Sequence, residues 1–143
     1  MEIRIDIGFK TYDIKDADGT LLGTIRFNPG DVGMVGRAKE ASAKLSDIAA
    51  QYREGDGVDA LLGAEQAVRD TIDEVFASPV SDVFFGGISP LTPCEDGRIM
   101  AEAVLDSMMP VIEEGVKASA DRVKRHTSDY QGTDKGLAPG QKV

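Results

Sequence analysis

The hydrophobic period of the chain changes at Asn28-Pro29-Gly30, and that change decides the fold class. Before it, Ile3, Ile5, Ile7 and Phe9 alternate with Glu2, Arg4, Asp6 and Gly8, the two-residue period of a half-buried strand, and Tyr12 and Ile14 continue the β-prone run. Asp18-Gly19 lies between this run and a second one, LLGTIRF, and glycine supplies the positive φ that a tight hairpin turn demands. The expectation is that residues 1–27 form paired strands with Ile3, Ile5, Ile7, Ile25 and Phe27 facing the rest of the molecule. After Asn28-Pro29-Gly30 the apolar residues recur at helical spacing. A β-hairpin followed only by helices predicts an α+β fold: an N-terminal antiparallel β-hairpin packed on a bundle of three to four helices.

Asp31 is placed to cap the first helix or to sit in its first turn, ahead of a stripe of Val32, Val35, Ala38, Ala41 or Ser42, Leu45, Ile48 or Ala49, and Tyr52. Gly33 and Gly36 weaken its start; they suit close packing better than phosphate binding, because G-x-x-G-x-x-G is neither a P-loop nor a dinucleotide fingerprint. A second helix is expected over Val58–Phe76, with Leu61, Leu62, Ala64, Val68, Ile72, Val75 and Phe76 on one face and an Arg69–Asp73 pair on its flank. SPVSDVFF predicts a short helical turn with Ser as its cap and Pro at its first position. The last helix should start near Glu95–Gly97 and carry Ile99 or Met100, Ala103, Val104, Met108, Val111, Ile112, Val116 and Val123, with Pro110 kinking or dividing it. Residues 1–128 read as one domain and 129–143, polar and rich in glycine, as a flexible tail.

The formal charge of −9 argues against duplex nucleic acid or an anionic membrane as a partner. It is unevenly spread: residues 1–116 carry −12 and residues 117–143 carry +3. The cations there suit a helix C-terminus. A single cysteine cannot form an intramolecular disulfide, no apolar run approaches a membrane span, and MEIRIDIGFK is too charged for a secretory signal. The reading is a soluble cytoplasmic chain.

Catalytic and metal chemistry find no support. In DADGT, taking Gly19 as the sixth position of a calcium loop puts Ile14 first and Ile25 twelfth, where carboxylates are required. One histidine (His126) and one cysteine (Cys94), far apart in sequence, suggest neither a nucleophile–base pair nor a metal site, and the acidic pairs Glu95-Asp96 and Glu113-Glu114 read as helix start and solvated surface. The chain is therefore expected to be no enzyme and to need no metal or cofactor.

VFFGGISPLTP, residues 83–93, has neither period. Its adjacent phenylalanines either plug a core corner between helices or open a surface to a partner. The order YDIKDADGTLLGTIRFNPGDVGMVGR, an acidic helix, VFFGGISPLTPCEDG, then VLDSMMPVIEEGVKASADRVKR resembles a family of small tail-cluster proteins of phages and prophages of Gram-positive bacteria, over about residues 11–127. Members are often assigned as tail assembly chaperones. The resemblance implies a non-enzymatic protein in the host-cell cytoplasm that binds the long helical tape measure protein until the tail tube polymerises around it. A structural tail component, such as a terminator or connector subunit, is the alternative, and a small-molecule-binding domain or enzyme a further one. On the chaperone reading, Phe85, Ile88, Leu91 and Met109 border the client-binding patch, because turns and kinks leave apolar side chains uncovered.

Overall fold

In the computed structural model, which describes residues 1–53 and 58–134, the chain is an α+β fold: two antiparallel strands and then four helices. The strands are β1 (Lys10–Lys15) and β2 (Leu21–Phe27), and the helices are α1 (Gly33–Arg53), α2 (Val58–Phe76), α3 (Ser81–Phe85) and α4 (Met100–Asp134). The hairpin forms about Asp18-Gly19, though within residues 10–27 and not 1–27, and the bounds of α2 are as the sequence reading has them. The turn forms on Asp16, whose carboxylate accepts the N–H groups of Asp18 and Thr20 at 2.9 Å each, while Gly19 adopts φ +85°. This Asx arrangement uses the acidic residues as backbone acceptors.

Register fixes which strand face is buried. Tyr12 lies opposite Ile25, Ile14 opposite Gly23, and Lys10 opposite Phe27. Opposed residues share a face, so Tyr12 and Ile14 face the helices together with Ile25 and Phe27. The residues of the other parity turn away, and the Arg26 guanidinium lies 4.5 Å from the ring centroid of the half-buried Phe9. Residues 1–9 are outside the ladder, and Ile3, Ile5 and Ile7 are 77%, 74% and 58% exposed. The expectation that they face the helices fails because the strand begins only at Lys10: Gly8, at φ +81°, interrupts the extended run, and the apolar parity changes between Phe9 and Tyr12.

The core joins Ile25 and Phe27 to Met34, Ala38, Ala41, Leu45 and Ala49 of α1, Val68, Ile72, Val75 and Phe76 of α2, and Ala101, Leu105, Met108 and Ile112 of α4. Helix α1 packs on both α2 and α4, while α3 packs on β2 and α2. The stripes differ from expectation at their ends: Val32, Leu62 and Val123 are exposed, and Met34 takes the core place expected of Val32. Asp31 does cap α1, accepting the N–H of Gly33 at 2.9 Å, and it also pairs with Arg37, whose Nε donates to the carbonyl of Val75 at 3.1 Å. The start of α1 is thereby tied to the end of α2.

Two starts move. Helix α3 begins at Ser81, capped by Asp73, whose carboxylate accepts the N–H groups of Val80 (2.8 Å) and Ser81 (2.7 Å) and the Ser81 hydroxyl (3.0 Å). Ser78, the expected cap, donates instead to the carbonyl of Arg26 on β2. Glu95–Gly97 forms a turn, with Gly97 at φ +89°, and α4 begins at Met100, where Glu102 reaches back to the N–H of Ile99 at 3.2 Å. Pro110 lies inside α4 without dividing it, and its own side chain is exposed. The helix runs on to Asp134, into the stretch read as a tail, whose remainder lies outside the described residues.

Helix α4 also crosses the Asn28–Gly30 turn at close range. A Cβ on Gly115 would sit 1.9 Å from the carbonyl oxygen of Pro29, and the Ser119 hydroxyl donates to the carbonyl of Gly30 at 3.1 Å. Gly36 and Gly63, also helical, face open space. Gly115→Ala should therefore destabilise the chain by about 1–3 kcal/mol in urea unfolding despite alanine's better helix propensity. Gly36→Ala and Gly63→Ala should stabilise it by up to about 1 kcal/mol each.

Candidate partner-binding surface

Hydrogen bonds recur along the segment 86–99. The N–H of Ile88 donates to the carbonyl of Phe85 (2.9 Å), that of Thr92 to Ser89 (3.0 Å), and Pro93 and Ile99 form an isolated bridge. The N–H groups of Met100 and Ala101, unpaired at the start of any helix, donate to Thr92 (2.8 Å) and Pro90 (3.0 Å). Arg69 clamps the near end: its guanidinium donates to the carbonyls of Gly86 and Ile88 at 3.1 Å each, pairs with Asp82 at 3.3 Å, and lies 5.7 Å from the Phe85 ring centroid. The expected Arg69–Asp73 pair does not form, because Asp73 is spent on the cap of α3 and Arg69 on this loop. At the far end Arg98 donates to Asp96 (2.8 Å) and Asp106 (2.9 Å), and its hydrogen bond holds the Asp96 carboxyl below the usual carboxylate range.

The four residues expected to border a client patch therefore occupy different places. Phe85 and Leu91 are buried, at 2% and 5% exposure, while Ile88 is 53% exposed. Met109 is half-buried on α4, about 2.5 turns beyond that helix's first residue. Phe84, also buried, continues an aromatic series through Phe76 (6.0 Å) to Phe27 (5.1 Å) and Tyr12 (4.8 Å). Both phenylalanines plug the core corner, one of the two roles left open for them.

A partly exposed apolar surface opens one step away, between the hairpin tip and the first half of α4. A groove of about 620 Å³ is lined by Ile14, Leu22, Phe84, Met100, Ala103, Val104 and Met108, with Cys94 and Ser107 in its wall and Asp13, Lys15 and Asp16 at its hairpin end. Its shape has a local cause. The ladder shifts register between Ile14 and Lys15, so that Ile14 faces Gly23 and Lys15 faces Leu21. Leu22 is the extra residue of a β-bulge, a device that re-aims a side chain, and it is 46% exposed among the groove residues. Gly23 beside it carries φ +154° and lies under α3, where a Cβ would meet Val83 at 3.1 Å. Met100, Ala103, Val104, Ser107 and Met108 line the groove at helical spacing, beside the buried row of Ala101, Leu105 and Ile112. Sequence reasoning passed over this groove because the bulge at Leu22 follows from pairing and not from any residue pattern.

A second groove, of about 560 Å³, lies where residues 6–12 and the Asn28–Gly30 turn meet α4, and Asp6, Lys10, Glu114 and Arg122 give it mixed charge. Among the described residues, no group of three or more His, Cys, Asp and Glu side chains is placed to hold a metal ion, and no helix is long and apolar enough to cross a membrane. Comparison with family models, curated proteins and solved structures finds no match for this chain. The surfaces are read from their own chemistry.

Burial separates the two central loop residues. Leu91→Ser should lower stability by about 2–5 kcal/mol in chemical denaturation, as large-to-small core changes do. Ile88→Ser should leave it within about 0.5 kcal/mol of the parent.

Proposed function

We propose that this chain is a non-catalytic tail assembly chaperone of a phage or prophage, acting in the host-cell cytoplasm, and that its client is an amphipathic helix of the tape measure protein. The observation that carries the reading is the open apolar groove between the hairpin and α4, with the half-buried Met100 on its helical wall and Met108, 8% exposed, also lining it. A chaperone for a long helical client has to accept many related apolar stripes. Methionine, unbranched and polarizable, repacks against varied surfaces at little cost. The arrangement suits the helix-in-groove mode, in which anchors at i, i+3, i+4 and i+7 enter an apolar trough. Two carboxylates against one ammonium at the hairpin end favour a client stripe flanked by lysine or arginine. The net charge of −9 limits self-aggregation while the groove is empty.

The test is co-expression of the full chain with helical fragments of the tape measure protein of the same phage. The wild-type chain should keep a fragment soluble and co-purify with it. Leu22→Asp, at an exposed position, should fold as the parent does and weaken capture by roughly 2–3 kcal/mol, the scale of a hot spot. Capture that survives Leu22→Asp unchanged moves the client away from the groove, and failure of the folded wild type to solubilise any fragment overturns the reading. A chaperone is also absent from purified particles, whereas a terminator or connector subunit remains in them.

A further inference from the structure

Residues 1–9 carry the largest exposed apolar side chains of the hairpin region on a segment with the strand period. Ile3, Ile5 and Ile7 are more than half exposed, and their alternation with Glu2, Arg4 and Asp6 is uninterrupted. The arm's ties to itself and to the body are few: Asn28 Nδ2 donates to the carbonyl of Ile7 (2.6 Å), Asp6 accepts the N–H of Gly8 (3.0 Å), Arg4 pairs with Glu2 (3.1 Å) with both side chains largely exposed, and the Phe9 ring meets the Arg26 guanidinium. An unpaired, β-prone run of this kind is a template for another strand.

We infer that the occupant is the same arm of a second copy, paired antiparallel about a two-fold axis at Ile5. In that register Ile3 lies opposite Ile7 of the other copy, Ile5 opposite Ile5, and Arg4 opposite Asp6, the last pair occurring twice by symmetry; Glu2 meets Gly8. The neighbouring registers that also keep the isoleucines on one face are disfavoured by charge. Centring on Arg4 sets arginine against arginine and Glu2 against Asp6, and centring on Asp6 sets aspartate against aspartate. Like charges directly opposite destabilise a strand pair, and opposite charges and apolar pairs stabilise it. Centring on Ile3 also avoids like charges, setting Glu2 against Arg4, but it pairs only residues 1–5 and leaves Ile7 without a partner. The arm is self-complementary over its full length only about Ile5, as an isologous two-fold contact requires. The three isoleucines supply less area than the roughly 1,600 Å² of a standard interface, so the dimer is a weak one, populated at about 100 μM protein and above. The inference is independent of the client groove.

Sedimentation equilibrium of the untagged full chain tests it. Wild type should show a monomer–dimer equilibrium, and Ile5→Lys should be monomeric with an unchanged Tm. Arg4→Asp alone and Asp6→Arg alone should each weaken association about tenfold, because each sets like charges opposite one another twice. An equimolar mixture of those two variants should regain the affinity, since each then meets its opposite charge in the other chain. A wild type that is monomeric at about 500 μM, well above the range expected for so small an interface, overturns the inference. So does a dimer indifferent to Ile5→Lys, or a mixture that associates no better than its separate components.

Discussion

Phe27 is the contact through which the two halves of this fold become one. It is fully buried at the end of β2, stacked on Tyr12 from the neighbouring strand at 4.8 Å and met edge-on by Phe76 from the end of α2 at 5.1 Å. Phe76 passes the series to Phe84 and Phe84 to Phe85. A two-stranded hairpin is marginal alone in water, and this one persists because its buried face is shared with helices. Aromatic pairs of these geometries add about 0.5–1.5 kcal/mol each beyond the area they bury. The placement of α3 over Gly23, and so the wall of the groove, follows from the same seam.

Commitment of Phe27 and Tyr12 to the core fixes the strand parity, and parity determines what is left outside. Tyr12 and Ile14 of β1 turn inward, while residues 1–9, set off by Gly8 at φ +81°, stay outside the ladder with Ile3, Ile5 and Ile7 exposed. The extra residue at Leu22 is then accommodated as a bulge that opens the groove at the hairpin tip. Two apolar surfaces flank this seam: the arm of residues 1–9 outside the ladder, and a trough with methionine along one side.

The parts of the fold that follow local rules were legible in the sequence. The Asp18-Gly19 turn, the period switch at Asn28, the cap at Asp31 and the span of α2 each depend on a few adjacent residues. The parity of β1 was partly legible: a two-residue loop at Asp18-Gly19 would set Tyr12 opposite Ile25, and the structure reaches that register by another route, with Lys15 opposite Leu21 and the bulge at Leu22 restoring it. Reading the alternation of each run separately concealed it. What was not legible depends on pairing across long separations. Arg69 has an acidic neighbour four residues on and nevertheless closes the 86–88 loop, while Asp73 caps a helix that starts beyond its own. Of the four residues expected at a client surface, Phe85 went inside because α3 packs on β2 and α2, and Leu91 because the 86–99 segment folds back onto the start of α4, a return that no local pattern announces.

Residue-resolved hydrogen exchange on Phe27→Leu tests the central role of this contact most directly. If Phe27 joins hairpin and helices into one cooperative unit, the slowest amides of β1 and β2 and those of α2 and α4 should lose the same free energy of protection, about 1–2 kcal/mol. Loss confined to the hairpin, with the α2 and α4 amides protected as in wild type, would contradict it.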